Sequence, residues 1–217
     1  MVCIDNLSVR AESFQLSNIS FEIKKGECLA LMGKSGSGKT TIMEAICGLL
    51  EVTSGSIIID GNDCNHAAPR DRMVGLVPQD NVLFTTMTVC EHLAYGPLLR
   101  KWNKRDISSR VEELAVELDI TDLLHRRPRG LSGGEAKRVA IGRAIAAKPS
   151  LLCLDESFTG LDDETLTEVM KVVKSTIKRE NISTLLVTHQ TKEAELLADV
   201  IYRIQKDGSV MPVSQKT

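Results

Sequence analysis

Apolar and polar positions along the chain follow two periods, one of two residues and one near four. Residues 4–9 and 19–23 alternate or run apolar, and 28–32 is a short apolar run with Lys25-Gly26 as the turn before it, so a β-rich beginning is predicted. Residues 39–49 switch to helical spacing, marked by Ile42, Ile46 and Leu49. Residues 56–59 return to a strand that runs into Asp60-Gly61, a hairpin-type turn signal. From about 80 to 147 the pattern is mainly helical: 110–118 places Val111, Leu114 and Leu118 on one face, and Pro128 to Gly130 breaks the chain before another helix. Residues 150–154 and 184–187 read as short buried strands, 165–178 as an amphipathic helix, and 200–213 as a closing hairpin about Asp207-Gly208. There is no internal repeat, low-complexity segment or flexible linker. The expectation is one α/β domain over 1–217, with a core of about 1–79 and 148–217 and an inserted helical lobe of about 80–147.

Composition narrows the function without naming it. A chain of 217 residues can bury a sizeable core. Its formal net charge of -2 gives no global attraction to nucleic acid or anionic lipid. An aromatic content of 3% argues against a base-stacking surface for single strands. No apolar run approaches the roughly 18 residues of a membrane-spanning helix. Residues 1–8 carry Asp5 and no basic, apolar leader, so secretion is not expected. Cys3, Cys28, Cys47, Cys64, Cys90 and Cys153 have no CxxC spacing and are expected to be reduced, with Cys28 and Cys153 inside apolar strands.

The segment Gly33-Lys34-Ser35-Gly36-Ser37-Gly38-Lys39-Thr40 fits GxxxxGK[ST], the P-loop pattern, between a predicted strand and a predicted helix. Glycines let successive backbone N–H groups turn inward around a phosphate chain, and the following helix adds the positive end of its dipole. Lys39 is expected to reach the β- and γ-phosphates of a bound nucleotide, with Thr40 as a Mg2+ ligand and Thr41 beside it. Alone, this motif says only that the chain is a nucleotide triphosphatase or kinase.

Further along stand Leu131-Ser132-Gly133-Gly134-Glu135 and Leu151-Leu152-Cys153-Leu154-Asp155-Glu156, an apolar strand ending in two carboxylates. Gln79 follows Val77-Pro78, and His189 follows Leu186-Val187-Thr188. With these residues in this order, nearly the whole chain resembles the ATPase subunit of an ABC transporter. The resemblance implies a P-loop NTPase core of RecA-like type with an antiparallel β subdomain and an inserted α-helical subdomain. It also assigns roles, each with a physical reason. Asp155, at a strand end beside the P-loop, would hold Mg2+. Glu156 would orient or deprotonate the attacking water. Gln79 would touch both metal and water, and His189 would hydrogen-bond the γ-phosphate.

In that family two cassettes pack head to tail, and the signature of one caps the ATP of the other. Ser132, Gly133, Gly134 and Glu135 would thus serve the partner's nucleotide, using a serine hydroxyl, small glycines and a helix N-terminus. Asp162, in Thr159-Gly160-Leu161-Asp162, resembles the loop that crosses the same interface. The implied partners are a second copy of the cassette, a transmembrane permease and a solute-binding protein, with no nucleic acid. The implied location is the cytoplasmic face of the membrane, held through the permease. A permease helix would dock near 80–96, where Leu83, Phe84, Met87 and Tyr95 stand, although each of these could equally be lobe core. Residues 69–75 and 133–144 are similar to cassettes of molybdate- and thiamine-type importers. The sequence stops soon after Val213, so the regulatory domain that many such importers carry is not expected.

The alternative is a soluble ABC ATPase of repair or translation. Residues 38–131 hold no sustained heptads and are too few for the long arm of the repair type, and only one set of motifs is present for a translation type. Two departures from the family pattern stand out. Ser157 replaces a common proline, which predicts a slightly looser backbone after the acidic strand. The usual adenine-stacking aromatic is missing near Val9-Arg10-Ala11-Glu12; either Arg10 or Phe14 contacts the base, or, equally, both are ordinary surface or packing residues. If either stacks on adenine, replacing it singly by alanine weakens ATP affinity in a binding titration; unchanged affinity in both variants removes both from the site.

Overall fold

The computed structural model describes residues 1–11, 14–80, 82–205 and 208–213. The chain opens with two ten-residue antiparallel strands, β1 (Val2–Ala11) and β2 (Phe14–Ile23). They exceed the apolar runs inside them because register shifts at 4–7 and 7–9 interrupt the alternation. After β3 (Cys28–Met32) and α1 (Lys39–Cys47), the chain returns as β4 (Val52–Ile59) and β5 (Asn62–Asp63) to complete an antiparallel sheet of order β2-β1-β4-β5.

A second sheet carries the strand before the P-loop and the acid-ended strand. Its order is β10-β9-β3-β8-β7-β6, formed with β6 (Val74–Val77), β7 (Leu151–Asp155), β8 (Ser183–Thr188), β9 (Val200–Ile204) and β10 (Val210–Pro212). All its pairings are parallel except β9 with β10. The closing hairpin is therefore present, but β9 also pairs with β3, which brings the tail beside the P-loop strand. Its expected turn residue Asp207 lies outside the described residues.

Strands buried on both faces still sort their side chains by the two-residue period. Cys28, Ala30, Met32, Leu152, Leu154 and Leu186 join one apolar cluster, while Leu29, Leu31, Leu151, Cys153, Leu185 and Val187 join the other. The second cluster includes α1 and the antiparallel sheet. The first continues into the helices between β6 and β7, namely α2 (Val89–Leu99), α3 (Lys104–Glu117) and α4 (Gly133–Ile145), and into α5 (Asp163–Glu180) and α6 (Thr191–Leu197). The apolar core thus runs without a break from the inserted helices to the sheet.

Local signals set the helix ends. Thr88 and Ser132 each form a reciprocal capping box, with Glu91 and Glu135, and Asn103 and Asp162 cap α3 and α5. Helix α1 stops at Cys47 rather than Leu49 because Gly48 turns left-handed at φ 79°, its N–H returning to the Ala45 carbonyl and the Leu49 N–H to the Glu44 carbonyl. Helix α6 has no counterpart in the sequence reading; it is only seven residues long.

Close packing inside the helical insertion depends on Gly142, where an added Cβ would lie 2.6 Å from Leu93 Cδ2 and 2.7 Å from Leu118 Cδ1. Arg110 fastens the insertion to the rest. Buried on α3, it donates to the Ile145 and Ala146 carbonyls at 3.1 and 3.2 Å and holds Glu180 of α5 through two bonds of 2.7 and 2.8 Å. All six cysteines are free and at least partly buried. Burial pushes the Cys28 thiol up to about 12, and contact with Cys47 together with burial raises Cys153 well above the usual thiol range, so neither is a reactive thiolate.

Arg110→Ala leaves Glu180 and two helix-end carbonyls without their donor in a buried setting. We expect a loss of about 3–5 kcal/mol, the usual cost of breaking a buried pair from one side. Urea unfolding of the native and substituted chains measures it.

Candidate functional site

The P-loop follows β3 directly and opens α1. Gly36 and Gly38 both take left-handed backbone, at φ 76° and 92°, which no side chain adopts without strain. Gly38 occupies the N-cap of α1 and no side chain caps that end, so the first-turn N–H groups remain directed into the loop. Lys39 is 4% exposed; its Nζ donates to the Gly33 and Lys34 carbonyls at 3.1 and 3.0 Å and stands 3.9 Å from Glu156 Oε1. Ser37 Oγ is buried with no hydrogen-bond partner among the described residues. A Cβ on Gly33 would lie 2.5 Å from that oxygen. A buried ammonium, an orphan hydroxyl and a glycine cradle together match an anion of phosphate shape.

Thr40 and Asp155 come together as expected. The Thr40 hydroxyl donates toward both Asp155 carboxylate oxygens, at 3.2 and 3.1 Å. Burial raises the Asp155 pKa, the Thr40 bond works against that rise, and the neighbouring Glu156 charge adds to it. Convergent, partly desolvated oxygens that gain from a compensating cation form a donor set suited to a small, hard divalent ion. Gln79 lies two residues past β6, whose Val77 pairs with Leu154, so its loop stands beside the end of the acidic strand; the side chain is exposed.

Glu156 and His189 also meet. Glu156 Oε1 is 3.1 Å from His189 Nδ1. The Glu156 backbone is left-handed at φ 42°, an uncommon position for a residue with a side chain. It is held there because its N–H continues the sheet to the Val187 carbonyl at 2.9 Å and its own carbonyl accepts from Thr159 Oγ1 at 2.9 Å. Both residues border a cavity of about 930 Å3 lined by the loop from Gly33 to Ser37, Thr191, Arg203 and Gln205.

Ser157 does not loosen this region. Its buried hydroxyl donates to the Val77 carbonyl at 3.0 Å and so fastens the end of β7 to the end of β6. The expectation of a looser backbone took account of the lost proline ring but not of the hydroxyl that replaces it.

The signature residues stand elsewhere: none of Ser132 to Glu135 lines the cavity. Ser132 Oγ accepts from Glu135 N–H at 3.3 Å while Ser132 N–H donates to Glu135 Oε2 at 2.6 Å, so both side chains organise the start of α4. Gly134 is buried, and a Cβ there would meet Thr165 Cγ2 at 3.0 Å and Val169 Cγ2 at 3.1 Å, so it is required for close approach of α4 to α5. Asp162 accepts from Glu164 and Thr165 N–H groups and from Thr165 Oγ1, and those bonds hold its carboxyl below the usual range.

Arg10 is exposed and is not among the lining residues; the side chain of Phe14, like Glu12, lies outside the described residues. Arg203 and Gln205 were missed by the sequence reading. Their place follows from β9 lying beside β3, with Arg203 paired to Met32, a neighbour relation that no local pattern announces. In the helical insertion Leu83 is core, but Phe84 and Tyr95 are exposed rather than packed inside. Phe84 stacks on His92, with ring centroids 5.9 Å apart, and Arg143 lies 5.3 Å from its centroid.

Fold and site are those of the P-loop nucleotide-binding class. A family profile described as ABC transporter matches residues 16–159, and the chain belongs to that family. It is 41% identical over 199 residues to the molybdate/tungstate import ATP-binding protein WtpC of Pyrococcus abyssi, covering 92% of this chain and 58% of that protein. It is likewise 41% identical over 206 residues to the sn-glycerol-3-phosphate import ATP-binding protein UgpC of Bordetella avium, covering 93% of this chain and 57% of that protein. The chain thus spans less than two thirds of the length of these relatives. Among solved structures, it is similar to a dimeric ATP-binding cassette in a post-hydrolysis state bound to ADP and Pi, with 27% identity, a TM-score of 0.81 and 100% coverage of both chains.

Lys39→Ala removes the buried ammonium and leaves the loop carbonyls without their donor. ATP affinity is expected to fall at least about tenfold, in line with loss of a charge-assisted contact. Equilibrium binding of a fluorescent ATP analogue tests this.

Proposed function

We propose that this chain binds ATP with Mg2+ and hydrolyses it as the motor of an ABC importer, at the cytoplasmic face of a membrane. The observation that carries the reading is the meeting of Lys39, Thr40, Asp155, Glu156 and His189 around one phosphate cradle. Lys39 gives up its loop carbonyls for the β- and γ-phosphates. Thr40 and Asp155, with Gln79 beside them, hold Mg2+, which when bound offsets charge on the phosphates. Glu156 orients the attacking water and takes up its proton, and the bond to His189 fixes the direction of that carboxylate. His189 then faces the γ-phosphate and stabilises the charge that develops there.

Because Ser132 to Glu135 do not border their own cavity, the reading includes a head-to-tail dimer in which α4 of one copy closes the nucleotide site of the other. The self-capped Ser132 and the N–H groups of α4 supply the anion-facing end. The solved dimeric cassette with ADP and Pi supports this arrangement by similarity.

A permease is the partner for the exposed apolar surface of Phe84, Tyr95, Leu98 and Leu99. No helix among the described residues is long and apolar enough to cross a membrane. A solute-binding protein completes the importer. The relatives' names span oxyanions, glycerol 3-phosphate and maltodextrin, and the cassette does not touch the solute, so the proposal extends to small-solute import with an oxyanion leaning.

The test is light scattering of Glu156→Gln with Mg-free ATP. The substitution keeps every binding group and removes the base. A dimer that forms only with ATP, alongside loss of turnover, is expected. An ATP-bound monomer would exclude self-assembly of the shared site, and absence of ATP binding would overturn the motor reading itself.

A further inference from the structure

His189 is 49% exposed at its side chain, so packing alone does not fix it. Its backbone lies in the short turn between β8 and α6, and Gln190, at the N-cap of α6, makes no side-chain capping bond. What brackets the histidine is a buried carboxylate. Glu193, in the first turn of α6 and 1% exposed, accepts from Thr188 Oγ1 at 2.6 Å through Oε2. The same Thr188 oxygen accepts from Gln190 N–H at 3.0 Å. The residue before His189 and the residue after it are therefore tied together at the Thr188 hydroxyl, which Glu193 in turn holds.

This arrangement is costly for stability alone. Glu193 Oε1 is buried without a hydrogen-bond partner among the described residues, a situation that costs about 1–3 kcal/mol and more for a charged group. Burial raises the Glu193 pKa, opposed by the Thr188 bond and by the nearby His189 and Lys137. Lys137, half-buried on α4, supplies a compensating positive field rather than a bond. An apolar residue of similar size would fill the space without that penalty. Buried polar groups kept at such a cost concentrate where geometry matters to function.

We propose that Glu193 is a positioning residue for the hydrolytic step: through Thr188 and Gln190 it fixes the turn that presents His189 to Glu156 and the γ-phosphate. It is not among the residues that line the nucleotide cavity. The proposal rests on the roles given above to His189 and Glu156.

Four variants, Glu193→Ala, Thr188→Val, Thr188→Ser and His189→Ala, are compared in the full chain for ATP turnover, ATP affinity and the nitrogen-15 NMR signature of the His189 ring. Loss of the clamp lets the imidazole drift on the ångström scale, so kcat is expected to fall about ten- to a hundredfold in Glu193→Ala and Thr188→Val. KM for ATP and ATP affinity stay within about twofold of native, because the P-loop is untouched. The His189 signature moves toward a free imidazole in both, and Thr188→Ser, which keeps the hydroxyl, retains native values. Native turnover with an unmoved His189 signature in Glu193→Ala overturns the proposal, as does slow turnover with that signature unmoved. Native turnover in His189→Ala instead breaks the underlying reading of the site. Slow His189→Ala beside native Glu193→Ala breaks only the inference.

Discussion

Lys39 is an ammonium almost wholly removed from water and held by two carbonyls of its own loop. Burying such a charge is tolerated only where fixed dipoles replace its hydration. The loop can provide them because Gly36 and Gly38 take left-handed backbone and turn the chain around the lysine. Everything else in the site is arranged about that point. The uncapped start of α1 contributes N–H groups, β7 brings Asp155 and Glu156, and β8 brings His189. Each of these strands ends at the same edge of the sheet because parallel pairing keeps β3, β7 and β8 in register.

The double-faced sheet explains how this edge is kept rigid. Alternate residues of β3, β7 and β8 enter two different apolar clusters, so sliding one strand would disturb both. One cluster runs directly into α2–α5, which means that the helical insertion and the sheet that carries the P-loop share a core. Arg110 strengthens the same junction with bonds to α4 and α5. The helical insertion is therefore joined to the sheet through packed side chains.

Two residues illustrate how local chemistry was easy to read and its consequence was not. Ser157 was visible as a departure from proline, yet its hydrogen bond to Val77 depends on β6 lying beside β7. Glu193 sits in a helix of only seven residues, and no local motif marks it. Its significance comes from burial and from the two bonds around His189. Phe84 and Tyr95 were open in the sequence between a docking surface and lobe core, and only the fold, which leaves both exposed, separates the two.

Sequence alone determined the phosphate cradle, the acid-ended strand, the signature at the start of α4 and the α/β class. These are short-range facts: glycine spacing, a lysine and threonine at the loop's end, and an apolar run closed by carboxylates. The tertiary structure decided which strands are neighbours, and so brought Arg203 to the cavity, placed Glu156 against His189 and turned Ser132 to Glu135 away from it. The physical reason is that hydrogen-bond ladders and packing join residues far apart in the chain, and no local period encodes which partner a strand will choose.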